Sequence, residues 1–233
     1  MKSSSDAILR PEQAAYLDAL HSTSVRALAA MAGVAPVDGR DPLLARMEAR
    51  AAERGYPISD PEVACLLAIV AKLARPRLIV ELGTNIGYGA IVLARAAGPG
   101  AKVVTIEANA DLVGEARAYV TEARLKSRVE VRHGLAIPEL EKIEGPIDLL
   151  YVDCVKEEYP RYLEIAAPKL SASGVVVADN ALWMGQVARD APVDSEKERA
   201  RALREFNRAL VSRPELCSVV LPLGDGVALA VRI

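Results

Sequence analysis

Short apolar runs alternate with longer amphipathic stretches along most of this chain. Five runs are rich in β-branched residues: RLIVELG (77–83), KVVTIEA (102–108), RVEVRHG (128–134), DLLYVDC (148–154) and GVVVADN (174–180). Stretches typical of helices, such as GAIVLARAA and DLVGEARAYVTEARL, separate them. Strands that alternate with helices of this length form βαβ crossovers. The pattern therefore predicts an α/β fold, with a doubly wound and mostly parallel sheet that is covered by helices on both faces.

Both ends of the chain depart from this alternation. After an amphipathic helix predicted over 195–212, two apolar runs are joined only by Gly224-Asp225-Gly226. Such a link is too short for a crossover, so it predicts a terminal hairpin with a reversed C-terminal strand. Residues 11–54 predict two or three helices, interrupted at 33–42, and a further helix is expected over 59–74 with Ser59 or Asp60 at its N-cap. We divide the chain into an N-terminal helical segment, 1–58, and a main domain, 59–233.

Composition and charge narrow the class of protein. The chain has 233 residues and a net charge of −2, so no basic field would attract a nucleic acid, and no such partner is expected. Its three cysteines are odd in number and far apart, which is typical of reduced thiols. The N-terminus lacks the apolar segment of a signal peptide and no apolar run has membrane length, so we expect no membrane association and a cytoplasmic location.

A glycine-rich loop follows the first strand and indicates a ligand site. Its glycines are Gly83, Gly87 and Gly89, and their GxxxGxG spacing differs from the GxGxxG fingerprint of NAD-binding folds. They allow backbone N–H groups to approach a ligand. Glu81 lies just before the loop, where a carboxylate would repel a pyrophosphate and attract an ammonium group. The second strand ends on Glu107, which can accept hydrogen bonds from both hydroxyls of a ribose or, alternatively, cap the helix that follows. A ribose-bearing ligand with a cationic amino-acid tail fits best, and S-adenosylmethionine is such a ligand.

Side chains that bear oxygen ligands end the fourth and fifth strands: Asp153 ends one, and Asp179 with Asn180 ends the other. Because the carboxyl ends of parallel strands meet at one edge of the sheet, we expect these side chains to lie close together. Three oxygen ligands without His or Cys select a hard cation, most favourably Mg²⁺. The structural alternative is that Asn180 opens a turn and Asp179 pairs with Lys156. Beside a dication the ammonium form of Lys156 is disfavoured, so Lys156 can act as a general base.

Seven features resemble one enzyme family when taken in order: VELGTNIGYGA, IEAN, HGLA, VDCVKEEY, DNALWMGQV, the helix that contains FN, and LPLGDG. They are similar to those of the cation-dependent class I O-methyltransferases, the catechol and caffeoyl-CoA O-methyltransferase group. The resemblance covers about 59–233 and implies the Rossmann-like class I methyltransferase sheet with its reversed last strand. Residues 1–58 match only as the helical region that, in the family, covers the active site and contributes to a homodimer.

The resemblance also implies a role for each matching residue. The metal would be held by Asp153, Asp179 and Asn180, and Lys156 would be the catalytic lysine, acting beside Asp153. The cofactor would contact Ser59, Glu81, Gly83, Thr84, Gly87, Gly89, Glu107, Ala136 and Asp153. Within that set, the methionine tail would lie against the 81–89 loop, the ribose against Glu107 and the adenine edge against Ala136.

Two departures from the family pattern bear on the chemistry: one is at position 89, and the other is Met184, where plant caffeoyl-CoA enzymes tend to carry a polar residue after LW. The usual GYS is here Gly87-Tyr88-Gly89, so only a backbone N–H can serve at position 89. Trp183 and Met184 predict an apolar wall beside the metal, and with Lys156 and Asn180 they would form the acceptor site. A wall of this kind favours a flat aromatic acceptor over a CoA thioester, although Trp183 as part of the core is the alternative.

The predicted function is metal-dependent transfer of a methyl group from S-adenosylmethionine to a hydroxyl of a catechol-type small molecule. Two alternatives stay open at this point. One is a non-catalytic partner protein that binds S-adenosylmethionine, and the other is a nicotinamide-dependent oxidoreductase on a similar sheet. The glycine spacing and the terminal hairpin argue against the oxidoreductase.

Overall fold

The computed structural model describes residues 26–37 and 39–233, together with Gln13, Tyr16, Leu17 and Leu20. Within these residues the helices are α1 (Arg26–Ala32), α2 (Pro42–Arg54), α3 (Pro61–Ala74), α4 (Tyr88–Ala97), α5 (Ala110–Glu122), α6 (Ala136–Glu141), α7 (Tyr159–Ala166) and α8 (Lys197–Ser212). The strands are β1 (Leu78–Leu82), β2 (Lys102–Glu107), β3 (Val129–His133), β4 (Ile147–Val152), β5 (Leu170–Ala178), β6 (Leu216–Leu221) and β7 (Val227–Arg232). No described helix is both long and apolar enough to cross a membrane.

The strands form one sheet in the order β3-β2-β1-β4-β5-β7-β6. Strands β1 to β5 are parallel, and β7 lies between β5 and β6 and is antiparallel to both. The predicted parallel sheet and its reversed last strand are therefore confirmed. This topology brings the carboxyl ends of β1, β2, β4 and β5 to one edge of the sheet.

Two apolar layers cover the sheet. Helices α1 to α5 pack on one face, against side chains such as Ile79 and Val177, and helices α6 to α8 pack on the other, against side chains such as Val80 and Val176. Consecutive strand residues thus point to opposite layers, as the pleat of a strand requires. Burial on both faces explains why the central strands β1 and β4 are largely apolar.

Strand β5 begins at Leu170, four residues before the run from which it was predicted. Its register against β4 shifts between Ile147 and Leu149. Gly174 lies at this irregularity, where a Cβ atom would be 2.8 Å from the carbonyl oxygen of Ile147. The close approach of the two backbones therefore explains why a glycine occurs inside this strand, at the position where the strand was predicted to begin.

The predicted break at 33–42 separates α1 from α2. Asp41 caps α2 by accepting hydrogen bonds from the N–H groups of Leu43 and Leu44, at 2.9 and 3.2 Å, and Pro42 occupies the first helical position. Asp60 takes the N-cap position of α3, but its side chain makes no capping bond. The first part of the predicted helical region, residues 11–25, lies outside the described residues except for four positions.

Candidate active site at the carboxyl edge of the sheet

A cavity of about 870 Å³ opens at the carboxyl edge of the sheet. Predicted site residues that line it are Gly83, Glu107, Asp153, Lys156, Asp179, Asn180 and Trp183. A smaller adjoining pocket is lined by Ser59, Glu81, Thr84 and Gly89, and it shares Gly83 and Asp153 with the first. The fold thus brings most of the predicted residues together.

Three predicted residues do not line these spaces. Ala136 is buried in the first turn of α6, and Gly87 precedes α4 and faces Ala116 of α5. Met184 is 65% exposed and does not line the cavity, so the structure does not place it in the predicted apolar wall.

The two candidate metal-binding carboxylates follow neighbouring strands. Val152 and Ala178 are register partners at the ends of β4 and β5, and the N–H of Asp179 continues the ladder by donating to the carbonyl oxygen of Val152 at 2.9 Å. Asp179 is only 5% exposed. Burial, and then the negative charge of Asp153, raises the pKa of Asp179 to about 7. A positive charge placed between these acids would be strongly stabilised.

The sequence left open a purely structural role, in which Asn180 opens a turn and Asp179 pairs with Lys156; only the first half of it is found. Asn180 does open a turn, because its carbonyl oxygen accepts the N–H of Trp183 at 3.2 Å. Lys156, however, forms its ion pair with Asp153, at 2.8 Å, and not with Asp179. Asn180 also lines the cavity.

Lys156 is held firmly in place. Its Nζ donates to Asp153 Oδ1 at 2.8 Å and to the hydroxyl of Tyr159 at 3.0 Å, and its side chain is largely buried. The Tyr159 hydroxyl in turn donates to the main-chain carbonyl of Asp179, at 3.1 Å. These bonds leave one N–H of the ammonium group free to meet a ligand in the cavity.

Glu81 is the buried acid of the adjoining pocket, with 1% exposure. It accepts a hydrogen bond from the hydroxyl of Thr105, which is itself 2.6 Å from the hydroxyl of Thr84. Burial raises the pKa of Glu81 to about 8. A Cβ atom on Gly89 would lie 2.2 Å from Glu81 Oε1, so the glycine at position 89 makes room for this carboxyl group.

Packing inside the protein also accounts for the other glycines of the loop. A Cβ atom on Gly83 would overlap the carbonyl oxygen of Asp153, at 1.9 Å. The N–H groups of Gly83 and Thr84 both donate to the carbonyl oxygen of Ile106, at 3.0 and 3.2 Å, and that of Gly87 donates to Thr84 at 2.8 Å. These N–H groups are used inside the protein, so close packing of the loop against β2 and β4 accounts for its glycines better than ligand contact does.

Glu107 is oriented by two backbone donors. Its Oε2 accepts the N–H of Asn85 at 2.8 Å and its Oε1 accepts the N–H of Asn109 at 2.9 Å. Helix α5 is capped by the Asn109 side chain, which accepts the N–H groups of Asp111 and Leu112. Glu107 is therefore not the capping residue, and its carboxylate retains acceptor capacity at the wall of the cavity.

Tyr151 is a site residue that the sequence analysis missed. Its hydroxyl lies 2.8 Å from Ser59 Oγ and donates to Asp179 Oδ2 in a long hydrogen bond of 3.5 Å. Burial raises the pKa of Tyr151 well above 10, so the hydroxyl stays protonated. A signal was present, because strand alternation puts Tyr151 on the same side of β4 as Asp153, two residues later.

Trp183 closes another side of the cavity. Its indole Nε1 donates to Glu196 at 2.7 Å, and two cations lie near its ring, with Lys156 Nζ at 5.9 Å and the Arg199 guanidinium at 5.7 Å from the ring centre. The side chain is half-buried. It is thus part of the site as well as packed against the apolar layer of α8.

The sheet is mostly parallel with a reversed seventh strand, and it carries a buried acid, Glu81, near the end of β1 and an acid, Glu107, at the end of β2. These features define a class I methyltransferase architecture. Comparison with known proteins narrows the class. A model of an O-methyltransferase family matches residues 43–233. Most of the chain is covered by this match, and the chain belongs to that O-methyltransferase family.

Individual relatives agree with this assignment. The chain is 32% identical over 192 residues to a catechol O-methyltransferase of Niastella koreensis, covering 77% of this chain and 85% of that protein. It is 29% identical over 178 residues to caffeoyl-CoA O-methyltransferase 2 of Populus trichocarpa, covering 72% and 71%. The crystal structure of an O-methyltransferase from Bacillus cereus in complex with SAH superposes with a TM-score of 0.76 at 30% identity, covering 83% of this chain and 92% of that one. The chain is an S-adenosylmethionine-dependent O-methyltransferase, which sets aside both alternatives from the sequence analysis.

Proposed function

We propose that this enzyme transfers the methyl group to one hydroxyl of a vicinal diol on a small aromatic ring, with the help of a divalent cation, most favourably Mg²⁺. The observation that carries this proposal is the pairing of Asp153 and Asp179 at the ends of β4 and β5. Both acids line the same cavity as Glu107 and Trp183. A methyl donor and an aromatic acceptor can therefore meet beside the two carboxylates.

The side chains present fit such a cation. Among residues 26–37 and 39–233 no three His, Cys, Asp or Glu side chains converge as a metal site, so the donor set is two carboxylates and the amide of Asn180. Oxygen-only donors suit Mg²⁺, which keeps further positions for water and substrate. Burial, and after it the negative charge of Asp153, raises the pKa of Asp179 to about 7, and a cation beside both acids would favour their ionised forms. Asp153, Asp179 and Asn180 would hold the ion.

For the methyl donor, we assign the ammonium group to Glu81 and the ribose hydroxyls to Glu107. Ser59, Gly83, Thr84 and Gly89 would line the methionine side, with Asp153 next to them. Gly87 and Ala136 line neither space, so their predicted cofactor contacts are not part of this proposal. The orientation of Glu107 by two backbone N–H groups supports its role, because its remaining lone pairs are fixed before the ligand arrives.

In the chemical step, a bound dication would lower the pKa of the diol hydroxyl that reacts. In its neutral amine form, which a neighbouring dication favours over the ammonium form, Lys156 would accept the proton of that hydroxyl at Nζ and become the ammonium ion. Asp153 and Tyr159 hold the side chain in position. The phenolate oxygen forms a bond to the methyl carbon as the carbon–sulfur bond breaks, and the electron pair stays on sulfur. Trp183 excludes water and faces the aromatic ring.

The charges around the cavity favour a small diol over a CoA thioester. Five acids line the cavity: Asp60, Glu107, Asp153, Glu157 and Asp179. The two cations that line it among the described residues are already paired, Lys156 with Asp153 and Arg199 with Glu157 and Glu196. An anionic acceptor would therefore meet repulsion.

The test is turnover of labelled S-adenosylmethionine with a panel of catechols, with EDTA and with added Mg²⁺. We expect methylation that EDTA abolishes and Mg²⁺ restores. Asp179→Ala should lose metal-stimulated turnover but still bind S-adenosylmethionine, whereas Asp190→Ala, the same change at an exposed site, should behave as wild type. Full activity in EDTA would refute the requirement for a divalent cation. If no diol were methylated, the proposed class of acceptor would be refuted.

We also propose that the enzyme is a homodimer. Leu73 and Ile69 of α3 are 78% and 51% exposed. Leu73 lines an apolar groove of about 570 Å³ together with Val219 and Val231 of the terminal hairpin. Strand β6 is the edge of the sheet, and an uncovered apolar edge favours association. Leu73→Glu should convert a dimer to a monomer in light scattering, and a wild-type monomer would contradict the proposal. The cytoplasmic location stays a prediction.

A further inference from the structure

The loop that follows β5, residues 180–185, has an unusual backbone and is called the rim loop here. Trp183, Met184 and Gly185 are consecutive left-handed residues, with φ of 46°, 49° and 73°, and Asn180 has a φ of 57°. Residues with side chains disfavour this conformation. A run of this kind persists only where neighbouring structure imposes it, and such strain is concentrated at functional sites.

The neighbour that imposes it is the turn between β6 and β7. The N–H of Ala181 donates to the carbonyl oxygen of Gly226 at 2.8 Å, and that of Leu182 donates to the carbonyl oxygen of Asp225 at 3.0 Å. The N–H of Met184 donates to the carboxylate of Asp225, Oδ1. A Cβ atom on Gly226 would lie 2.4 Å from the Leu182 side chain. The turn therefore touches the rim loop along most of its length.

The rim loop carries two side chains of the proposed site. Asn180 lines the cavity as a candidate metal ligand, and the ring of Trp183 lies 5.9 Å from the Nζ of Lys156. Asp225 itself does not line the cavity. Its only side-chain hydrogen bond among the described residues is to the N–H of Met184, at the most strained part of the loop.

We propose that Asp225 is a positioning residue, whose carboxylate holds the rim loop in its left-handed form and so aims Asn180 and Trp183 at the acceptor. This inference rests on the proposed function for the roles of those two residues. A hydrogen bond from a backbone N–H to a charged carboxylate is stronger than one to a neutral acceptor. Replacing the Asp225 carboxylate by a methyl group should let the rim loop relax, so that Trp183 moves away from Lys156 and Glu196.

Trp183 is the only tryptophan in the sequence, so its fluorescence reports on the rim loop without any assay of activity. The variants are Asp225→Ala, Asp225→Ser with a shorter side chain, and Asp225→Asn, which keeps the acceptor oxygen. Asp190→Ala makes the same change of charge at an exposed position and is the control. Circular dichroism and thermal melting check that each variant folds.

In Asp225→Ala and Asp225→Ser we expect Trp183 emission at longer wavelength with stronger acrylamide quenching, and weaker Mn²⁺ binding by electron paramagnetic resonance. The loss should be about tenfold, the size expected for one hydrogen bond to a charged group. The KM of a catechol should rise while the affinity for S-adenosylmethionine is unchanged. Asp225→Asn keeps a neutral acceptor oxygen, so its changes in Trp183 emission and Mn²⁺ binding should be smaller than those of Asp225→Ala.

Wild-type emission and Mn²⁺ affinity in folded Asp225→Ala would overturn the inference. Equal loss in Asp225→Asn and Asp225→Ala would do the same, because the acceptor oxygen would then be irrelevant. If the wild-type enzyme itself binds no Mn²⁺ and methylates no diol, the proposed function fails, and the fluorescence of the variants still decides whether Asp225 holds the loop.

Discussion

Binding of S-adenosylmethionine at neutral pH is expected to release a proton from Glu81. This carboxyl group is buried, and burial raises its pKa from 4.5 to about 8, while Asp153 and Glu107 add to the rise. At pH 7 it is therefore mostly protonated and uncharged. The ammonium group proposed to bind beside it favours the carboxylate form, so the proton has to leave when the ligand arrives.

The size and the sign of the effect follow from two pKa values. With a pKa of about 8, Glu81 is roughly 90% protonated at pH 7. The α-amino group of the ligand has a pKa of roughly 7.7–8.0, so about 10% of it arrives deprotonated and takes up a proton. Net release should be about 0.8 proton at pH 7, near zero at pH 8, and should become an uptake of about 0.8 proton at pH 9. Ionising Glu81 at pH 7 costs roughly 1.4 kcal/mol, or about tenfold in affinity.

The assay is isothermal titration calorimetry without divalent metal, in buffers of different ionisation enthalpy at pH 7, 8 and 9. Glu81→Gln cannot ionise and should release no proton at pH 7. Glu205→Gln makes the same change at an exposed position of α8 and should match the wild type. The reasoning is refuted if the wild type releases no proton at pH 7, or if Glu81→Gln releases as many.

Three further changes test the site. Gly89→Ser should push the Glu81 carboxyl group out of its buried position, because a Cβ atom there would be 2.2 Å from Oε1; calorimetry at pH 7 should then show less proton release, and wild-type release would contradict this. Tyr151→Phe removes the hydrogen bonds to Ser59 and Asp179, so the free energy of unfolding should fall by about 1–2 kcal/mol and Mn²⁺ binding should weaken, whereas Tyr162→Phe, away from Asp179, should lower stability alone. Lys156→Met should lower kcat at pH 7 by about a hundredfold or more, and by less at pH 9 where the diol ionises unaided; an unchanged pH profile would remove Lys156 from the role of base.

Much of the architecture was accessible from local pattern alone. Alternating apolar strands and amphipathic helices predicted the doubly wound sheet, and the short Gly224-Asp225-Gly226 link predicted its reversed last strand. Because the carboxyl ends of parallel strands share one edge, even the proximity of Asp153 to Asp179 followed from where two apolar runs stop. Short-range periodicity carries this information, since it depends only on the pleat of a strand and the pitch of a helix.

Only the tertiary structure decided which side chains contact one another at the site. The sequence allowed Lys156 to pair with Asp179, but the turn after β4 directs it to Asp153. The glycine at position 89 suggested contact with a ligand, yet its immediate reason is the Glu81 carboxyl group packed against it.

The contacts of Ser59 with Tyr151 and of Met184 with Asp225 join residues 92 and 41 positions apart. What the sequence by itself determined was which strand ends, and with them most of the candidate side chains, meet at one edge of the sheet; it missed Tyr151 and wrongly placed Met184 in the wall of the cavity. Which of these side chains touch depends on how strands, linkers and turns from distant segments pack there, and no local pattern records that.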